Sequence, residues 1–417
     1  MAWSAPVWMR RGLLAVLLAW ATLLPGYATG SLPGQCLGSG CGSHGGLRWV
    51  RPLSGSWVAE SGIVGTVPAA GQAYVSAGPQ VAAVGYRMTV HGYDVRTGRG
   101  LWTTALHGFP PGAAIVSVRS WQQVVTAGVD YPGTADGGTV RDEIVLAGET
   151  GQRLRSYPAT AYGGAVAAGD DRTVIVGTRS VTSFDNASGR PVWSRSTGRV
   201  PQAWRVQGDR LLVTVAAGGY LGTAPVTALR AINLRTGAER LIRPPHGSFD
   251  GAFSAALDGV ALFSGSAGLA AYSEATGRLL WHRAGAIPES EDLVSETLYV
   301  SSGSGLIGLD PQTGAVVRGA TIPAASTVYG VRDGVALGLN TGSGGDAWGY
   351  GIGEGRVVWT TPPLPWPHYF VDLSGIGGSA DPSSNTVLLA ACGKVGAARA
   401  PGTRQACLRP ELVAIER

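Results

Sequence analysis

The sequence predicts an all-β fold built from many short antiparallel strands. Three observations predict it: the composition, a turn motif that recurs along the chain, and the apolar runs that flank each copy of this motif. The chain has 417 residues, including 65 glycines and 25 prolines, and only 14% of its residues are charged. Glycine and proline in such numbers disfavour long helices, and the low charge excludes an intrinsically disordered chain.

The recurring motif has an apolar residue, then Asp, Asn or Ser, two variable residues, Thr or Ser, Gly, three further residues and usually Trp. Clear copies occur at 93–102, 184–193, 232–241, 272–281 and 309–318, degenerate copies at 146–155 and 351–360, and a half copy at 45–49. Successive glycines lie 37 to 53 residues apart, a period typical of solenoids, propellers and arrays. The aligned glycines are Gly45, Gly98, Gly151, Gly189, Gly237, Gly277, Gly314 and Gly355.

Each copy of the motif predicts a hairpin turn between two strands. The Asp or Asn side chain bonds the backbone two residues on, and the glycine takes the left-handed conformation that closes the turn. Apolar runs of strand type precede the motif, as at 260–265, lead into it, as at 269–274, and follow it, as at 278–284. Each unit therefore has at least three antiparallel strands and room for a fourth. Four-stranded units of about 40–50 residues predict propeller blades, and eight glycines predict eight blades.

The two chain ends carry complementary halves of one unit. Residues 45–53 match the strand that follows the turn, and residues 412–417 match the strand that precedes it. We therefore expect a propeller over 45–417 whose last blade is split between the N- and C-termini. Such closure would remove the open sheet edges that invite aggregation.

A tryptophan follows the motif glycine by four residues in five of the copies. These residues are Trp49, Trp102, Trp193, Trp281 and Trp359, whereas Arg155, Leu241 and Arg318 take the place in three others. We expect the indoles to pack between neighbouring blades. Stacking on a ligand is the alternative interpretation.

The first 30 residues predict a targeting segment. Arg10 and Arg11 precede an apolar run at 12–24, and small residues at 28 and 30 suit a signal-peptidase site. The segment is a cleaved signal peptide or an uncleaved membrane anchor, followed by a Cys- and Gly-rich tail at 31–44. Either way we expect an extracytoplasmic protein, secreted or anchored to the outer face of the cytoplasmic membrane, with membrane contact only through this segment.

The chain has four cysteines, Cys36, Cys41, Cys392 and Cys407. An even number in an oxidising compartment predicts two disulfides. Residues 386–392 and 407–416 are expected to form neighbouring antiparallel strands, which favours Cys392 pairing with Cys407, and Cys36 with Cys41. The alternative arrangement crosslinks the two ends of the chain. A zinc site is disfavoured because no pair has C-x₂-C spacing.

The turn motif with its following tryptophan closely resembles the pyrroloquinoline-quinone (PQQ) type of propeller repeat over nearly all of 45–417. This PQQ-like family belongs with the quinoprotein alcohol dehydrogenases and includes BamB, a lipoprotein of the outer-membrane β-barrel assembly machinery. The resemblance implies the propeller fold. It does not imply an activity, because the same repeat occurs in enzymes, scaffolds and sensors.

Quinoprotein dehydrogenases of this family would imply adjacent cysteines over the cofactor, a calcium ion and a catalytic Asp. This chain has no Cys-Cys pair, and its acidic candidates lack the spacing of a calcium loop: Asp130, Asp136, Asp170, Asp171 and 289–292. No hydrolase, metalloprotease or phosphate-loop motif occurs, and the six histidines are scattered. We therefore assign no catalytic, cofactor-binding or metal-binding residue and expect no cofactor.

The net charge of +5 is spread along the chain without a basic cluster, which argues against nucleic-acid binding. Taken together, the sequence favours an exported, non-enzymatic and monomeric propeller. Its partner would be another protein, a ligand or a component of the cell envelope, bound on the top face or the rim loops. The alternative function is a PQQ-dependent oxidoreductase with its cofactor in the central channel.

Overall fold

Within the residues that it describes, the computed structural model shows 32 strands and no helix. Those ranges accordingly contain no helix able to cross a membrane. The predicted targeting segment, the tail at 31–44 and Gly45 lie outside them. The structure describes residues 46–52, 74–78, 80–121, 123–133, 139–159, 164–167, 171–177, 179–198, 203–216, 225–245, 248–292, 296–302, 305–321, 326–340, 346–361, 369–370, 386–395 and 407–416.

The strands form eight four-stranded antiparallel sheets, which we number I to VIII. The first strand of the chain, β1 (Gly46–Pro52), belongs to the last sheet. Sheet I consists of β2 (Tyr74–Ala77), β3 (Val81–Tyr86), β4 (Thr89–Asp94) and β5 (Gly100–Ala105). Sheet II consists of β6 (Ala114–Ser120), β7 (Val124–Pro132), β8 (Thr139–Ala147) and β9 (Arg153–Ala159). Sheet III consists of β10 (Gly164–Ala167), β11 (Arg172–Val176), β12 (Ser180–Asp185) and β13 (Pro191–Ser196).

The remaining sheets repeat this meander. Sheet IV consists of β14 (Trp204–Gln207), β15 (Arg210–Ala216), β16 (Val226–Asn233) and β17 (Glu239–Ile242). Sheet V consists of β18 (Ala252–Leu257), β19 (Val260–Gly265), β20 (Gly268–Ser273) and β21 (Leu279–Arg283). Sheet VI consists of β22 (Ile287–Asp292), β23 (Thr297–Ser302), β24 (Gly305–Leu309) and β25 (Val316–Thr321). Sheet VII is β26 (Ser326–Arg332), β27 (Val335–Asn340), β28 (Ala347–Gly351), β29 (Arg356–Thr360), and sheet VIII adds β30 (Tyr369–Phe370), β31 (Thr386–Val395) and β32 (Cys407–Glu416) to β1.

These sheets confirm the predicted all-β fold of four-stranded antiparallel units. Sheet VIII joins the two ends of the chain, because β1 pairs with β32 from Gly46 opposite Glu416 to Pro52 opposite Glu411. The hairpin turns of the recurring motif join the third and fourth strands of sheets I to VII.

A β-bulge occurs in the outer, fourth strand of seven sheets, one residue before the position that tryptophan takes in the motif. In sheet V, for example, Leu279 pairs with Tyr272 and Trp281 pairs with Ala271, so Leu280 has no partner. Such a bulge bends the strand and increases its twist. The outer strand of sheet IV is regular, and its motif copy carries Leu241 in place of tryptophan. The bulge also occurs before Arg155 and Arg318, so it accompanies the motif even where arginine takes the place of tryptophan.

The hydrophobic core lies between neighbouring sheets. Buried clusters join sheet I to sheet II, sheets II to IV, sheet IV to V, V to VI, VI to VII, and VII to VIII. Sheet VIII also contacts sheet I, because the Nε1 of Trp49 donates a hydrogen bond to the carbonyl of Val95 at 3.0 Å. Sheets II to VII thus each pack against a neighbouring sheet on both faces.

Deleting residues 412–417 tests the pairing of the chain ends. Leu412, Val413, Ala414 and Ile415 are all buried and lie between β31 and β1. Removing them exposes apolar area worth several kcal/mol, a large part of a typical domain's stability. We expect a large fall in Tm, measured by circular dichroism, while deletion of Arg417 alone is the matched control. Equal melting of the two truncated chains would show that the terminal pairing contributes nothing.

Candidate functional site

Four of the seven motif turns share one hydrogen-bonding pattern. The Oδ1 of Asp94 accepts from the backbone N of Thr97 at 2.7 Å and from its Oγ1 at 2.9 Å. The same pattern holds for Asp185 with Ser188, Asn233 with Thr236, and Asp310 with Thr313. Hydrogen bonds from Ser188 and Thr313 lower the pKa of Asp185 and of Asp310, respectively. The seven motif glycines that are described have φ between +64° and +72°.

The tryptophan of one sheet lies against the motif glycine of the next. A Cβ atom added to Gly98 would lie 2.6 Å from Trp49, and one on Gly314 would lie 2.7 Å from Trp281. Gly151 meets Trp102, and Gly237 meets Trp193, in the same way. Three indoles donate to the backbone three residues before that glycine, at Val95, Gly148 and Pro311.

These contacts favour the packing interpretation of the tryptophans over ligand stacking. Trp49, Trp193 and Trp359 are buried, and Trp102 and Trp281 lie beneath the glycine of the neighbouring sheet. Small residues stand opposite all five indoles and leave room for them, namely Ala414, Gly92, Ser183, Ala271 and Gly349.

The contact region between two neighbouring sheets is called a seam below. A second contact across the seams was not foreseen from the sequence. The residue two positions after tryptophan donates to the carbonyl of the next motif glycine. Arg51 bonds Gly98 at 2.7 Å, and the same bond joins Thr104 to Gly151 and Arg195 to Gly237. Part of the arginine content thus fixes the position of adjacent sheets, and the recurrence of Arg or Thr at this position was the available signal.

Charged groups occupy two seams that lack tryptophan. Arg155 contacts Gly189 and donates to the carbonyl of Ala187 at 2.7 Å. Between sheets IV and V, Arg210 pairs with Glu274 at 2.7 Å. Burial raises the pKa of Glu274, which is 3% exposed, although Arg210 opposes the rise.

A buried carboxyl group lies in sheet II. Glu143 is 3% exposed, and burial raises its pKa to about 7 against the opposing effect of Arg119 and Arg141. Arg141 is itself held by both carboxylate oxygens of Asp130, at 2.6 and 2.9 Å. Glu143 stands opposite Gly128, and a Cβ there would lie 3.1 Å from its Oε1.

Arg119 connects this carboxyl group to the first strands of sheets III and IV. Its guanidinium lies over the ring of Trp204 at 4.7 Å, and it passes Gly164, whose missing side chain leaves the space. The cluster can hold or release a proton near neutrality. Nothing in it provides a nucleophile activated by a base.

The exposed aliphatic side chains are concentrated on one part of the outer edge. Of the seven large hydrophobic residues exposed among the described residues, six lie on the outer strands of sheets III to VI. Val192 and Leu241 lie on sheets III and IV, and the outer-rim patch, as we name it, comprises Leu279 (51% exposed), Leu280 (40%), Val316 (54%) and Val317 (51%). Leu279 and Leu280 belong to sheet V and Val316 and Val317 to sheet VI, and these two sheets meet where Gly314 covers Trp281.

The other acidic and histidine candidates do not converge. Asp171 lies near Arg172, residues 289–292 belong to β22, and Asp136 and Asp170 fall outside the described residues. Within the described ranges, no three His, Cys, Asp or Glu side chains form a group that could hold a metal ion.

The two disulfides remain a prediction. Cys36 and Cys41 fall outside the described residues. The predicted neighbouring strands are present as β31 and β32, and their register puts Cys392 opposite Pro410 and Cys407 opposite Val395. The two cysteines are therefore not opposite one another, so the local pairing stays a prediction.

Two alanine substitutions separate the tryptophan contact from the backbone conformation. Gly314 has a φ of +67°, and a Cβ atom added there would also clash with Trp281. Gly355 has a similar φ of +64°, but no atom lies closer than 4.0 Å to a Cβ atom added there. We expect Gly355→Ala to cost about 1–2 kcal/mol of unfolding free energy, and Gly314→Ala about 1–3 kcal/mol more. Urea denaturation measures both. Equal losses would contradict a structural role for the covered indole.

Glu143→Gln tests the buried carboxyl group. Its pKa is raised in the folded state, so the folded protein gains a proton that the unfolded chain lacks between about pH 4.5 and 7. Stability should therefore fall as pH rises through this window, by about 3 kcal/mol. We expect Glu143→Gln to abolish this slope in denaturation curves, with exposed Glu149→Gln as control; parallel curves for wild type and Glu143→Gln would contradict the assignment.

Comparison with known proteins gives one family. Residues 177–336 match the family model described as outer membrane protein assembly factor BamB. None of the curated proteins matches this chain.

Solved structures that resemble the chain share little sequence with it. BamB from Moraxella catarrhalis is 17% identical, with a TM-score of 0.40, and the match covers 80% of this chain and 95% of that chain. A eukaryotic initiation factor is 15% identical at a TM-score of 0.46, with 79% and 83% covered. Dihydro-heme d1 dehydrogenase NirN is 13% identical at 0.47, with 70% and 66% covered. The family match over residues 177–336 confirms the resemblance to the PQQ-repeat β-propeller family that the turn motif indicates.

Proposed function

We propose that this protein is an exported, non-enzymatic scaffold that binds a partner protein at its outer rim. The observation that carries this proposal is the outer-rim patch, in which four exposed aliphatic side chains lie on the outer strands of two neighbouring sheets. Single exposed aliphatic residues are normal on a protein surface, whereas larger exposed apolar patches mark interaction sites.

The scaffold would be a closed, monomeric ring of eight blades. Support comes from the succession of contacts from each sheet to the next, which continues from sheet VIII to sheet I through Trp49. The pairing of β1 with β32 supports a last blade split between the chain ends. In such a ring the fourth strands face outward, which leaves the outer-rim patch accessible.

Export is proposed from the sequence of residues 1–30, with membrane contact through this segment alone. Two disulfides would then form outside the cytoplasm. The matched family model describes an assembly factor of the outer membrane, which supports a protein or another cell-envelope component as the partner.

Photo-crosslinking in the producing cell tests the proposal. A benzoylphenylalanine at Leu279 or Val316 should yield one discrete adduct in the extracytoplasmic fraction. The control position is Val140, which is 37% exposed and lies on β8, which is not an outer strand.

Leu280→Asp should abolish the adduct formed from Val316 without lowering Tm, because Leu280 is exposed. Val140→Asp should leave that adduct intact. The absence of an adduct at both rim positions, or the same adduct from position 140, would overturn the proposed binding surface.

A further inference from the structure

We infer that the outer-rim patch recognises an acidic segment of the partner that carries aliphatic side chains. This inference rests on the proposed function and adds the chemistry of the partner. It combines the apolar side chains of the patch with the charges that surround them.

The bulges determine how the patch can bind. Leu280 and Val317 are the residues without a cross-strand partner in β21 and β25. A bulge interrupts the regular row of backbone groups that an added strand would need. Side chains, rather than backbone pairing, are therefore the binding elements of this surface, and each bulge presents two consecutive aliphatic residues.

The charges around the patch are basic. Arg278, His282 and Arg318 are exposed at its margin, and β21 and β25 contain no acidic residue. Among the described residues, neither arginine has a salt-bridge partner.

The acidic groups of the two preceding motif turns already have partners. Asp310 accepts hydrogen bonds from Thr313 within its own turn, and Glu274 is buried against Arg210. A guanidinium binds carboxylates in a geometry that favours two parallel hydrogen bonds. The surface is therefore complementary to a segment that offers carboxylates around an aliphatic centre.

A protein segment suits this surface better than an anionic membrane does. The basic side chains exposed at the margin, Arg278, His282 and Arg318, are few, and each contributes only about 1 kcal/mol of attraction at a lipid surface. Paired carboxylates placed opposite Arg278 and Arg318 would instead form directed bonds.

The test measures the crosslinked adduct from Val316 in charge-reversed full-length protein. Arg278→Glu with Arg318→Glu should reduce the adduct at least about tenfold. Arg99→Glu is the matched control, because Arg99 and Arg278 both follow the motif glycine and both are exposed. Mass spectrometry should identify an acidic, aliphatic partner segment. An undiminished adduct, or a neutral or basic segment, would overturn the inference while leaving the scaffold proposal intact.

A second measurement uses the purified full chain and labelled synthetic peptides. A Glu/Leu peptide should bind more tightly than a Lys/Leu or a Glu/Ser peptide, and less tightly at high salt. Equal binding of the Lys/Leu peptide would overturn the inference. Capture by phosphatidylglycerol vesicles that Val316→Asp abolishes, with no preference for the Glu/Leu peptide, would also overturn it and identify a membrane contact. These two outcomes overturn only the inference about the acidic segment. The scaffold proposal itself fails if no crosslinked adduct forms at either rim position.

Discussion

At four of the seams that carry a tryptophan, the motif glycine of one sheet must remain without a side chain, because the indole of the preceding sheet lies against it. The added Cβ of Gly237, for instance, would stand 2.6 Å from Trp193. The left-handed turn, the bulge before the indole and the hydrogen bond from the following Arg or Thr all meet at this point. The position of one sheet on the next depends on that single close approach.

Where another residue replaces the indole, different groups hold the two neighbouring sheets together or become exposed. Where Arg155 and the Arg210–Glu274 pair replace it, polar groups hold the neighbouring sheets together. In sheet VI the same position is Arg318, which is exposed next to Val316 and Val317. Variation within a structural repeat thus converts one of its packing positions into part of a proposed binding surface. The properties that distinguish this chain from its repeat lie in these departures.

The sequence predicted the features that are local. The turns, the four-stranded units and the pairing of the chain ends follow from residues within about 10 positions of each motif glycine or from the complementary ends. The contact of Arg119 with Trp204 joins residues 85 positions apart, and no local pattern encodes it. The outer-rim patch could not be predicted either, because the sequence does not distinguish buried from exposed apolar residues of a strand. The strand register shows which of them lie at the edge of a sheet. The same register, set partly by bulges in β31 and β32, places Cys407 opposite Val395.

The proposed closed ring requires contacts between successive sheets to run without a break through the paired chain ends. Hydrogen–deuterium exchange of β1 measures this most directly. In a closed ring, amides of residues 46–52 exchange only when sheet VIII opens, so their protection should approach that of β15 and β19 in the interior sheets. Exchange of β1 at the rate of an unstructured peptide, while sheets I to VII stay protected, would contradict the account.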